Sequence, residues 1–306
     1  MRAVRGAVLI TGASTGIGAA CALHLDGLGF RVFAGIRTPA DGDELARRGA
    51  ARLAPIALDV TDAASIAAAA RTVADAVGDA GLQGLVNNAG IVVAGPLEFL
   101  PIGDLRRQLE VNVVGLVAVT QAVLPLLRRG RGRIVNMGSI AGRMATPFLA
   151  PYGASKFAVE ALTDALRLEV QPWNISVAVI EPGAVATPIW EKGRAASEAL
   201  RQSAPPEAKR LYAGAADAVE QAAARAARRA IPPEAVAQAV AHALTSPRPR
   251  TRYLVGPHTR IQSIIARLPD RLRDVLLVRA LGLPRRGSAC ADRAPGGGGG
   301  PLRGTR

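Results

Sequence analysis

Short apolar runs alternate along the chain with longer segments that carry apolar residues on one face, from Ala7 to about Val255. An apolar run bounded by turn residues is typical of a buried strand, and a one-sided pattern is typical of a helix that packs on a sheet. Repeated alternation of this kind predicts an α/β fold in which one doubly wound parallel sheet carries helices on both faces.

The pattern places the elements of this sheet along the chain. Strands are predicted at 7–10, 31–35, 53–58, 85–86, 133–137, 176–181 and 253–255. Helices are predicted at 16–28, 65–77, 104–127 and 152–170. A kink is expected at Pro125, because proline lacks the N–H that a helix needs. The helix at 152–170 is expected to stop before Pro172.

The alternation ends after the sixth strand. Residues 185–235 are polar, Ala-rich and helical, and they follow a strand end of the kind that binds ligands in open α/β sheets, so we interpret them as a substrate lid. One domain, residues 1–257, therefore carries the sheet and the lid. Residues 258–284 are predicted to form an amphipathic helical extension broken at Pro269. Residues 285–306, rich in Gly, Pro and Arg, are predicted to be a disordered basic tail.

The formal charge of +14 is concentrated at one end of the chain. Residues 247–306 contain 13 Arg and 3 Asp, a net charge of +10. This region has two interpretations: a solvated tail beside a basic helix, or a surface attracted to anionic lipid or nucleic acid. Weak association with a membrane surface is kept as an alternative, and no nucleic-acid partner is expected.

The cysteines and the N-terminal region favour a cytoplasmic protein. Cys21 lies in a predicted core helix and Cys290 in the tail, so no disulfide framework is expected, which suits a reducing compartment. The first strand begins at Ala7, too close to Met1 for a signal peptide. No uninterrupted apolar run is long enough for a membrane-spanning helix, and no metal site is predicted.

The segment T-G-A-S-T-G-I-G, residues 11–18, joins the first strand to a helix. Glycine lets the backbone approach a pyrophosphate, and unpaired N–H groups at a helix start favour an anion. An ordinary strand–turn–helix connection is the alternative, but the position directly after the first strand favours dinucleotide binding. The predicted cofactor contacts in this turn are Thr11, Gly12, Ser14, Thr15, Gly16, Ile17 and Gly18.

The end of the second strand bears on which dinucleotide binds. An acidic residue there would bind a ribose 2′-OH, whereas this chain has G-I-R at 35–37. Arg37 can pair with a 2′-phosphate, with Ser14 beside it, so NADP(H) is favoured over NAD(H); the alternative is that Arg37 is a solvated loop charge. Asp59 and Val60 follow the third strand, where they could contact adenine, although Asp is also a common turn residue.

A second group of residues can move a proton. Tyr152 and Lys156 lie four residues apart in Y-G-A-S-K, on one face of a predicted helix. An ammonium near a phenol lowers the phenol pKa from about 10, so Tyr152 could act as acid and base near neutral pH. Ser139 could hydrogen-bond a substrate oxygen. Asn112 is unusual in an apolar helix: it could hold a water that links Lys156 to solvent, or make a structural hydrogen bond.

Together these motifs resemble the short-chain dehydrogenase/reductase family. The motifs that carry the resemblance are T-G-A-S-T-G-I-G at 11–18, D-V at 59–60, N-N-A-G at 87–90, Asn112, Ser139, Y-G-A-S-K at 152–156, P-G at 182–183 and Thr187. It covers about residues 5–257. Segments 23–35 and 142–147 are similar to the branch of retinol, hydroxysteroid and 3-hydroxybutyrate dehydrogenases. The basic C-terminus lies outside the resemblance and inherits nothing from it.

The resemblance implies a Rossmann-type fold and an enzyme that interconverts an alcohol and its carbonyl by hydride transfer, with NADP or alternatively NAD. It implies catalytic roles for Asn112, Ser139, Tyr152 and Lys156. The remaining implied cofactor contacts are Asn87, Ala89, Gly90, Tyr152, Lys156, Pro182, Gly183, Val185 and Thr187. Family members commonly form homodimers or homotetramers through the helices predicted at 104–127 and 152–170.

Apolar residues near the predicted mouth favour a largely hydrophobic substrate, although they could equally be packing residues. They are Met144, Phe148, Leu149, Ile189 and Trp190. Two other functions compete. A sugar-nucleotide epimerase also uses Tyr-x-x-x-Lys, but such chains usually have G-x-x-G-x-x-G and a longer substrate domain. A non-catalytic nucleotide-sensing protein would need none of the Tyr, Lys and Ser residues found here.

Overall fold

Seven parallel strands form one sheet in a computed structural model that describes residues 5–284. The strands are β1 (Ala7–Ile10), β2 (Arg31–Ile36), β3 (Leu53–Ala57), β4 (Gly84–Asn87), β5 (Arg133–Met137), β6 (Ser176–Pro182) and β7 (Arg252–Val255). Their order across the sheet is β3-β2-β1-β4-β5-β6-β7. The predicted parallel sheet is therefore confirmed. The chain reverses direction across the sheet between β1 and β4, where ligands bind in such folds.

Eleven α-helices occur within residues 5–284. They are α1 (Gly16–Gly27), α2 (Pro39–Arg48), α3 (Ala63–Val77), α4 (Ile102–Leu109), α5 (Gly115–Gly130), α6 (Ala150–Glu169), α7 (Ile189–Ser203), α8 (Pro206–Ala227), α9 (Pro233–Thr245), α10 (Thr259–Ile265) and α11 (Asp270–Leu281). Helices α2 and α9 have no counterpart in the sequence prediction. The expected break at Pro269 lies between α10 and α11.

The core lies on both faces of the sheet, as a doubly wound fold requires. Side chains of β1 alternate between the faces: Val8 and Ile10 pack with α1 and α9, and Leu9 packs with α3 and α5. Both clusters consist of buried residues, most of them aliphatic. Because both faces are covered, the strands are mostly apolar, which is why they appear in the sequence as short apolar runs.

One predicted helix differs in form. The helix expected at 104–127 is a helical run from Ile102 to Gly130 that changes to π-helical geometry at Glu110–Val114 and continues through Pro125 as α-helix. The π-helical turn thus lies at Asn112, and a kink at Pro125 stays a prediction. This run is long and apolar enough to cross a membrane by length and composition, but Val119 and Val123 pack in the core of the sheet.

The segment after β6 leaves the sheet and returns to it at one point. An isolated parallel bridge joins Val185 to Ile231. The Ala186 N–H donates to the Ile231 carbonyl at 2.9 Å, and the Ile231 N–H donates to the Ala184 carbonyl at 3.0 Å. Helices α7 and α8 lie between these joined ends. The predicted tail at 285–306 lies outside the described residues.

Candidate active site

A cavity of about 1520 Å³ lies at the carboxyl ends of β1, β2, β4, β5 and β6, and residues of α7 and α8 also line it. The loops that follow the strand ends supply the polar groups, and the two helices supply much of the apolar lining. The glycine turn, the Tyr/Lys pair and the apolar mouth predicted from separate parts of the sequence therefore face one space.

The glycine turn fits a dinucleotide pyrophosphate. Gly12 and Gly16 have positive φ angles, of 63° and 57°, which other residues adopt at a cost. A Cβ on Gly12 would lie 2.7 Å from Ala89 Cα, so only glycine allows this approach. Helix α1 begins at Gly16, and its N-cap residue, Thr15, makes no side-chain cap and no acidic residue lies in the first turn. Its unpaired N–H groups and positive end are therefore open to an anion.

Three predicted cofactor contacts lie behind the cavity wall instead of lining it. The Thr11 hydroxyl accepts hydrogen bonds from the backbone N–H groups of Asn88 and Ala89, at 3.0 and 2.9 Å. The Asn87 amide is buried and donates to side chains on α5 and β5. Gly18 packs its backbone against the turn itself. Thr11 and Gly18 therefore support the glycine turn, and Asn87 joins β4 to α5 and β5; direct contact of the three residues with a cofactor stays a prediction.

Arg37 and Asp59 both line the other end of the cavity, where the sequence analysis predicts the adenosine. Arg37 is exposed at the edge of the cavity after β2. Asp59 accepts hydrogen bonds from the Thr61 N–H at 2.9 Å and the Thr61 hydroxyl at 2.7 Å, which lower the pKa of its carboxyl, and the charge of Arg37 adds to this effect. One oxygen of Asp59, Oδ1, thus has the turn role that the sequence also allowed. Val60 lines the cavity beside it.

The remaining predicted contacts line the cavity along one continuous wall. They are Ser14, Ile17, Ala89, Gly90, Pro182, Gly183, Val185 and Thr187. Asn88 also lines it and was not predicted, although it stands inside the N-N-A-G motif. Its side-chain amide donates to the carbonyls of Thr11 and Gly12, at 3.0 and 2.9 Å, so it clamps the glycine turn.

Tyr152, Lys156 and Ser139 come together in the middle of the cavity. Lys156 is 6% exposed, and its Nζ donates to the Met137 carbonyl at 2.7 Å. Its Nζ lies 5.7 Å from the centre of the Tyr152 ring, one turn earlier on α6. Ser139 follows β5, is buried, and its Oγ accepts a hydrogen bond from the Ala141 N–H at 3.1 Å. The arrangement predicted from Y-G-A-S-K and the preceding serine is thus present in space.

The phenol of Tyr152 is less acidic than the sequence prediction required. Burial raises the pKa of Tyr152 above its usual value, and hydrogen bonding with Ser139 offsets part of this rise. Burial also lowers the pKa of Lys156 to about 8, against the opposing charge of Glu160. The expected lowering of the Tyr152 pKa by Lys156 is therefore not found in this structure, where burial has the largest effect on the phenol and Ser139 opposes it.

Asn112 explains why the helix changes geometry beside the site. Its Oδ1 accepts from the Ile91 N–H at 2.9 Å, and its Nδ2 donates to the Ile91 carbonyl and the Ser155 hydroxyl, both at 3.1 Å. The structural role considered for this side chain is therefore present. A water held at Asn112 stays a prediction. π-Helical turns are frequent at functional sites.

Aromatic residues form the mouth. All five apolar residues predicted for the substrate line the cavity. Phe148 has a φ of 66°, a left-handed conformation that is rare for a bulky residue and frequent at functional sites. Its ring and that of Phe99 contact Tyr212 of α8 edge to face, with centroids 6.0 and 5.9 Å apart. Phe99 and Tyr212 were not predicted, because nothing local in the sequence joins residues so far apart.

The fold and the site define an oxidoreductase with a nucleotide-binding Rossmann domain. The family model described as short chain dehydrogenase matches residues 6–198. The chain belongs to the short-chain dehydrogenase family, in its retinol and hydroxysteroid dehydrogenase branch. It is 37% identical to retinol dehydrogenase 5 of Mus musculus, over 90% of this chain and 89% of that one. It is 39% identical to 17-beta-hydroxysteroid dehydrogenase type 6 of Homo sapiens, over 89% of this chain and 88% of that one.

Solved structures of the family have the same fold. A short-chain dehydrogenase from Streptomyces avermitilis is 28% identical, with a TM-score of 0.72 over 90% of this chain and 94% of that one. One from Burkholderia cenocepacia in complex with NADP is 27% identical, with a TM-score of 0.66 over 91% and 98%. A 3-ketoacyl-(acyl-carrier-protein) reductase from Brucella melitensis complexed with NADH is 25% identical, with a TM-score of 0.66 over 82% and 96%.

Proposed function

We propose that this oxidoreductase interconverts a hydrophobic alcohol and its carbonyl, prefers NADP(H), and uses Tyr152 as its acid and base. The observation that carries the proposal is the meeting of Tyr152, Ser139 and Lys156 in the same cavity as the glycine turn.

The residues present fit a nicotinamide dinucleotide. The start of α1 and the amides of the glycine turn would hold the pyrophosphate, and Arg37 would pair with a 2′-phosphate. Asp59 and Val60 would bind at the adenine end. Lys156 would hold the nicotinamide ribose, with Thr187 and the residues at 182–185 beside the nicotinamide. When bound, the dinucleotide accepts a hydride from the alcohol carbon or supplies one to the carbonyl carbon.

The chain's own residues handle the proton. In alcohol oxidation Tyr152, as phenolate, takes the hydroxyl proton, and in carbonyl reduction the phenol returns it to the oxygen. Ser139 donates a hydrogen bond to the same oxygen and holds it toward Tyr152. The Lys156 ammonium stabilises the phenolate by its charge. Since Lys156 and Ser139 are both buried, these interactions act in surroundings from which most water is excluded.

The lining of the mouth supports a hydrophobic substrate. Met144, Leu149, Ile189 and Trp190 lie along one side of the cavity, and the Phe148 ring closes toward α8. The Trp190 indole N–H donates to the Val185 carbonyl at 3.0 Å, so its ring is held in place as part of the wall. Such a surface gains most from an apolar ligand.

A screen of aliphatic, aromatic and steroid alcohols and ketones with both cofactors tests the proposal. Absorbance of the reduced nicotinamide is followed for the parent and for Tyr152→Phe, which keeps the ring and removes the hydroxyl. We expect turnover of at least one apolar substrate that the variant loses, with a higher kcat/KM for NADP(H). Tyr152-independent turnover would refute the assigned chemistry, and a preference for NAD(H) would refute only the cofactor assignment.

We also propose that copies of the chain associate through α5 and α6 as a homodimer or homotetramer. Apolar side chains are exposed on this side: Val114 at the start of α5, and Phe157 and Leu168 on α6. Sedimentation equilibrium of the parent and of Phe157→Glu tests this. We expect the parent to be a dimer or tetramer and the variant to dissociate; a monomeric parent contradicts the proposal.

We propose a cytoplasmic location with weak association with anionic membrane surfaces. Exposed apolar and basic side chains lie together on α10 and α11. The apolar ones are Ile261, Ile264, Leu272 and Val275, and the basic ones are Arg260, Arg267 and Arg271. Co-sedimentation with phosphatidylserine vesicles, with phosphatidylcholine vesicles as control, tests the association. We expect salt-sensitive binding to the anionic vesicles alone, weakened by Ile264→Glu.

A further inference from the structure

A network of buried charges lies directly behind the proposed catalytic residues. Glu181 of β6 is fully buried, and Arg143 pairs with both of its oxygens, at 2.5 and 2.8 Å. Arg252 of β7 lies on the other side of the network. It contacts Asp164 at 2.6 Å and Glu160 at 3.2 Å, both on α6, and approaches Glu181 at 3.5 Å. The network thus joins two strands to the helix that carries Tyr152 and Lys156.

Glu160 is the member of this network that faces the site. It lies four residues after Lys156, on the same side of α6. Its Oε2 is held by Arg252, but its buried Oε1 has no hydrogen-bond partner among the described residues. A Cβ added to Gly138 would lie 3.2 Å from that Oε1. The free oxygen therefore faces the backbone between Met137, the acceptor of the lysine bond, and Ser139.

Lys156 is a buried ammonium without an ion-pair partner of its own. Within residues 5–284 its Nζ has one hydrogen bond, to the neutral Met137 carbonyl, and no carboxylate lies within 4.0 Å. A buried charge is costly unless an opposite charge lies near it. Glu160 is the acidic group whose charge supports that of Lys156.

We propose that Glu160 is a positioning residue: its carboxylate keeps the Lys156 ammonium charged and bound to the Met137 carbonyl as pH rises above neutral. It acts on the reaction through Lys156 and does not touch the substrate. The inference rests on the proposed function, in which the charge of Lys156 supports the acid and base role of Tyr152.

The acidities of the two groups agree with this role. Burial lowers the pKa of Lys156 to about 8, and Glu160 opposes that fall. The Glu160 pKa is raised to about 7 by burial and by the Glu181 charge, while Arg252 and Arg143 lower it. Without the Glu160 charge, the Lys156 pKa falls further, toward neutral pH, and the amine becomes partly neutral under working conditions.

Direct titration of Lys156 tests the proposal without a substrate. The chain has three lysines, Lys156, Lys192 and Lys209, so protein labelled with ¹³C at lysine Cε gives three signals. Loss of one signal in Lys156→Met assigns it. In Glu160→Gln, which keeps the shape and removes the charge, we expect the Lys156 midpoint to fall by about one pH unit or more. An unchanged midpoint overturns the proposal.

Asp164→Asn is the control, because Asp164 belongs to the same network but does not face Lys156. Asp164 also binds Arg252 but lies one helical turn farther along α6 and is partly exposed. Asp164→Asn should leave the Lys156 midpoint close to that of the parent. An equal shift in both variants would mean that loss of the network, and not the Glu160 charge, moves the lysine, which overturns the assignment to Glu160.

Two further measurements complete the test. In alcohol oxidation, the fall in kcat/KM that accompanies loss of the Lys156 proton should begin at lower pH in Glu160→Gln and not in Asp164→Asn. If Glu160→Gln does not fold, titration of the parent alone tests the proposal. The chemical shift of its Lys156 signal should then change in two steps, the smaller one near pH 7 where Glu160 ionises. A single step overturns the proposal. Turnover that does not need Tyr152 refutes the proposed function but does not change the Lys156 titration. Failure of the proposed function can therefore be distinguished from failure of the role assigned to Glu160.

Discussion

The Tyr212 hydroxyl on α8 donates a hydrogen bond of 2.7 Å to the carboxylate of Glu98, which stands on the opposite rim of the cavity. The ring of Tyr212 also contacts Phe99 and Phe148 edge to face. One side chain thus joins α8 to two loops from the sheet. Phe99, Phe148 and Tyr212 all line the cavity, so this contact ties its mouth together.

Tyr212→Phe should therefore loosen the mouth. The change removes one partly exposed hydrogen bond, worth about 0.5–1.5 kcal/mol, and keeps the ring contacts. We expect the substrate KM to rise by about two- to tenfold, with the dissociation constant of the cofactor unchanged. Steady-state kinetics and cofactor titration measure both. Tyr212→Ala, which also removes the ring, serves as comparison and should have the larger effect; a KM equal to that of the parent in both variants would contradict the role.

Tyr152→Phe should abolish most of the activity while leaving the fold and the cofactor site intact. General acid–base catalysis contributes about 10²–10⁴-fold, so kcat should fall by at least about 10². Fluorescence titration with NADPH should give a dissociation constant near that of the parent. Near-parent kcat in this variant would remove Tyr152 from the mechanism and leave only the dinucleotide site.

The two directions of the reaction should respond oppositely to pH. Burial raises the pKa of Tyr152, so the phenol is protonated at neutral pH in the protein alone. Carbonyl reduction needs the phenol and should hold its rate at neutral pH and fall as pH rises through the Tyr152 pKa. Alcohol oxidation needs the phenolate and should increase over the same range. Measurement of kcat/KM against pH for both reduction and oxidation tests these two expectations. Parallel pH profiles in the two directions would contradict them.

Lys156→Met should stabilise the fold at neutral pH although it removes activity. Burial lowers the Lys156 pKa from 10.5 to about 8, so at pH 7 the folded protein bears the cost of a buried charge. The loss of the Met137 bond offsets part of the gain, which leaves about 1–2 kcal/mol or about 2–4 °C in Tm. Thermal unfolding at pH 7 measures it, with exposed Lys209→Met as control.

The size of this effect depends on pH in a defined way. Between about pH 8 and 10.5 the unfolded parent binds more protons at Lys156 than the folded parent, so parental stability rises with pH. The variant lacks that contribution. Its advantage in Tm should be full below about pH 8 and disappear as pH approaches 10.5; an advantage independent of pH would show that packing, and not charge, causes it.

Arg37→Asp should invert the cofactor preference. The change removes a partner of the 2′-phosphate and adds repulsion at the exposed end of the cavity, beside Asp59. Dissociation constants for NADPH and NADH are measured on both proteins, with Arg48→Asp on the exposed surface of α2 as control for the change in charge. Tighter binding of NADH by the parent would show that the end of β2 was misinterpreted.

Much of the site could be predicted because its signals are local. Tyr152 and Lys156 lie within one helical turn, so their spacing alone places them side by side. The glycine turn follows directly from an apolar strand, and parallel strands bring their carboxyl ends to one edge. The sequence therefore predicted which loops would share a cavity, and the structure brings them together.

The remaining features depend on contacts between distant segments. The network of Glu160, Glu181 and Arg252 is assembled from α6, β6 and β7, and no spacing in the sequence joins its members. The π turn follows from the bonds of Asn112 to Ile91, whereas the apolar stretch around it is equally consistent with a regular helix. Helix α2 was missed because half of its ten residues are charged and only Gly42 and Leu45 are buried, which leaves few apolar positions to form a pattern.

The bridge between Val185 and Ile231 has a consequence for how such a protein can diversify. Because the backbone closes this segment at its base, the chain leaves the sheet and rejoins it at a fixed pair of points. Residues 188–230 between them can lengthen, shorten or change sequence from these fixed ends, whereas Thr187 stays because it lies against Gly16 of the glycine turn. New substrate preferences can therefore arise by exchanging one closed loop, and a chimaera that keeps Thr187 and exchanges residues 188–230 is the natural unit for engineering this protein.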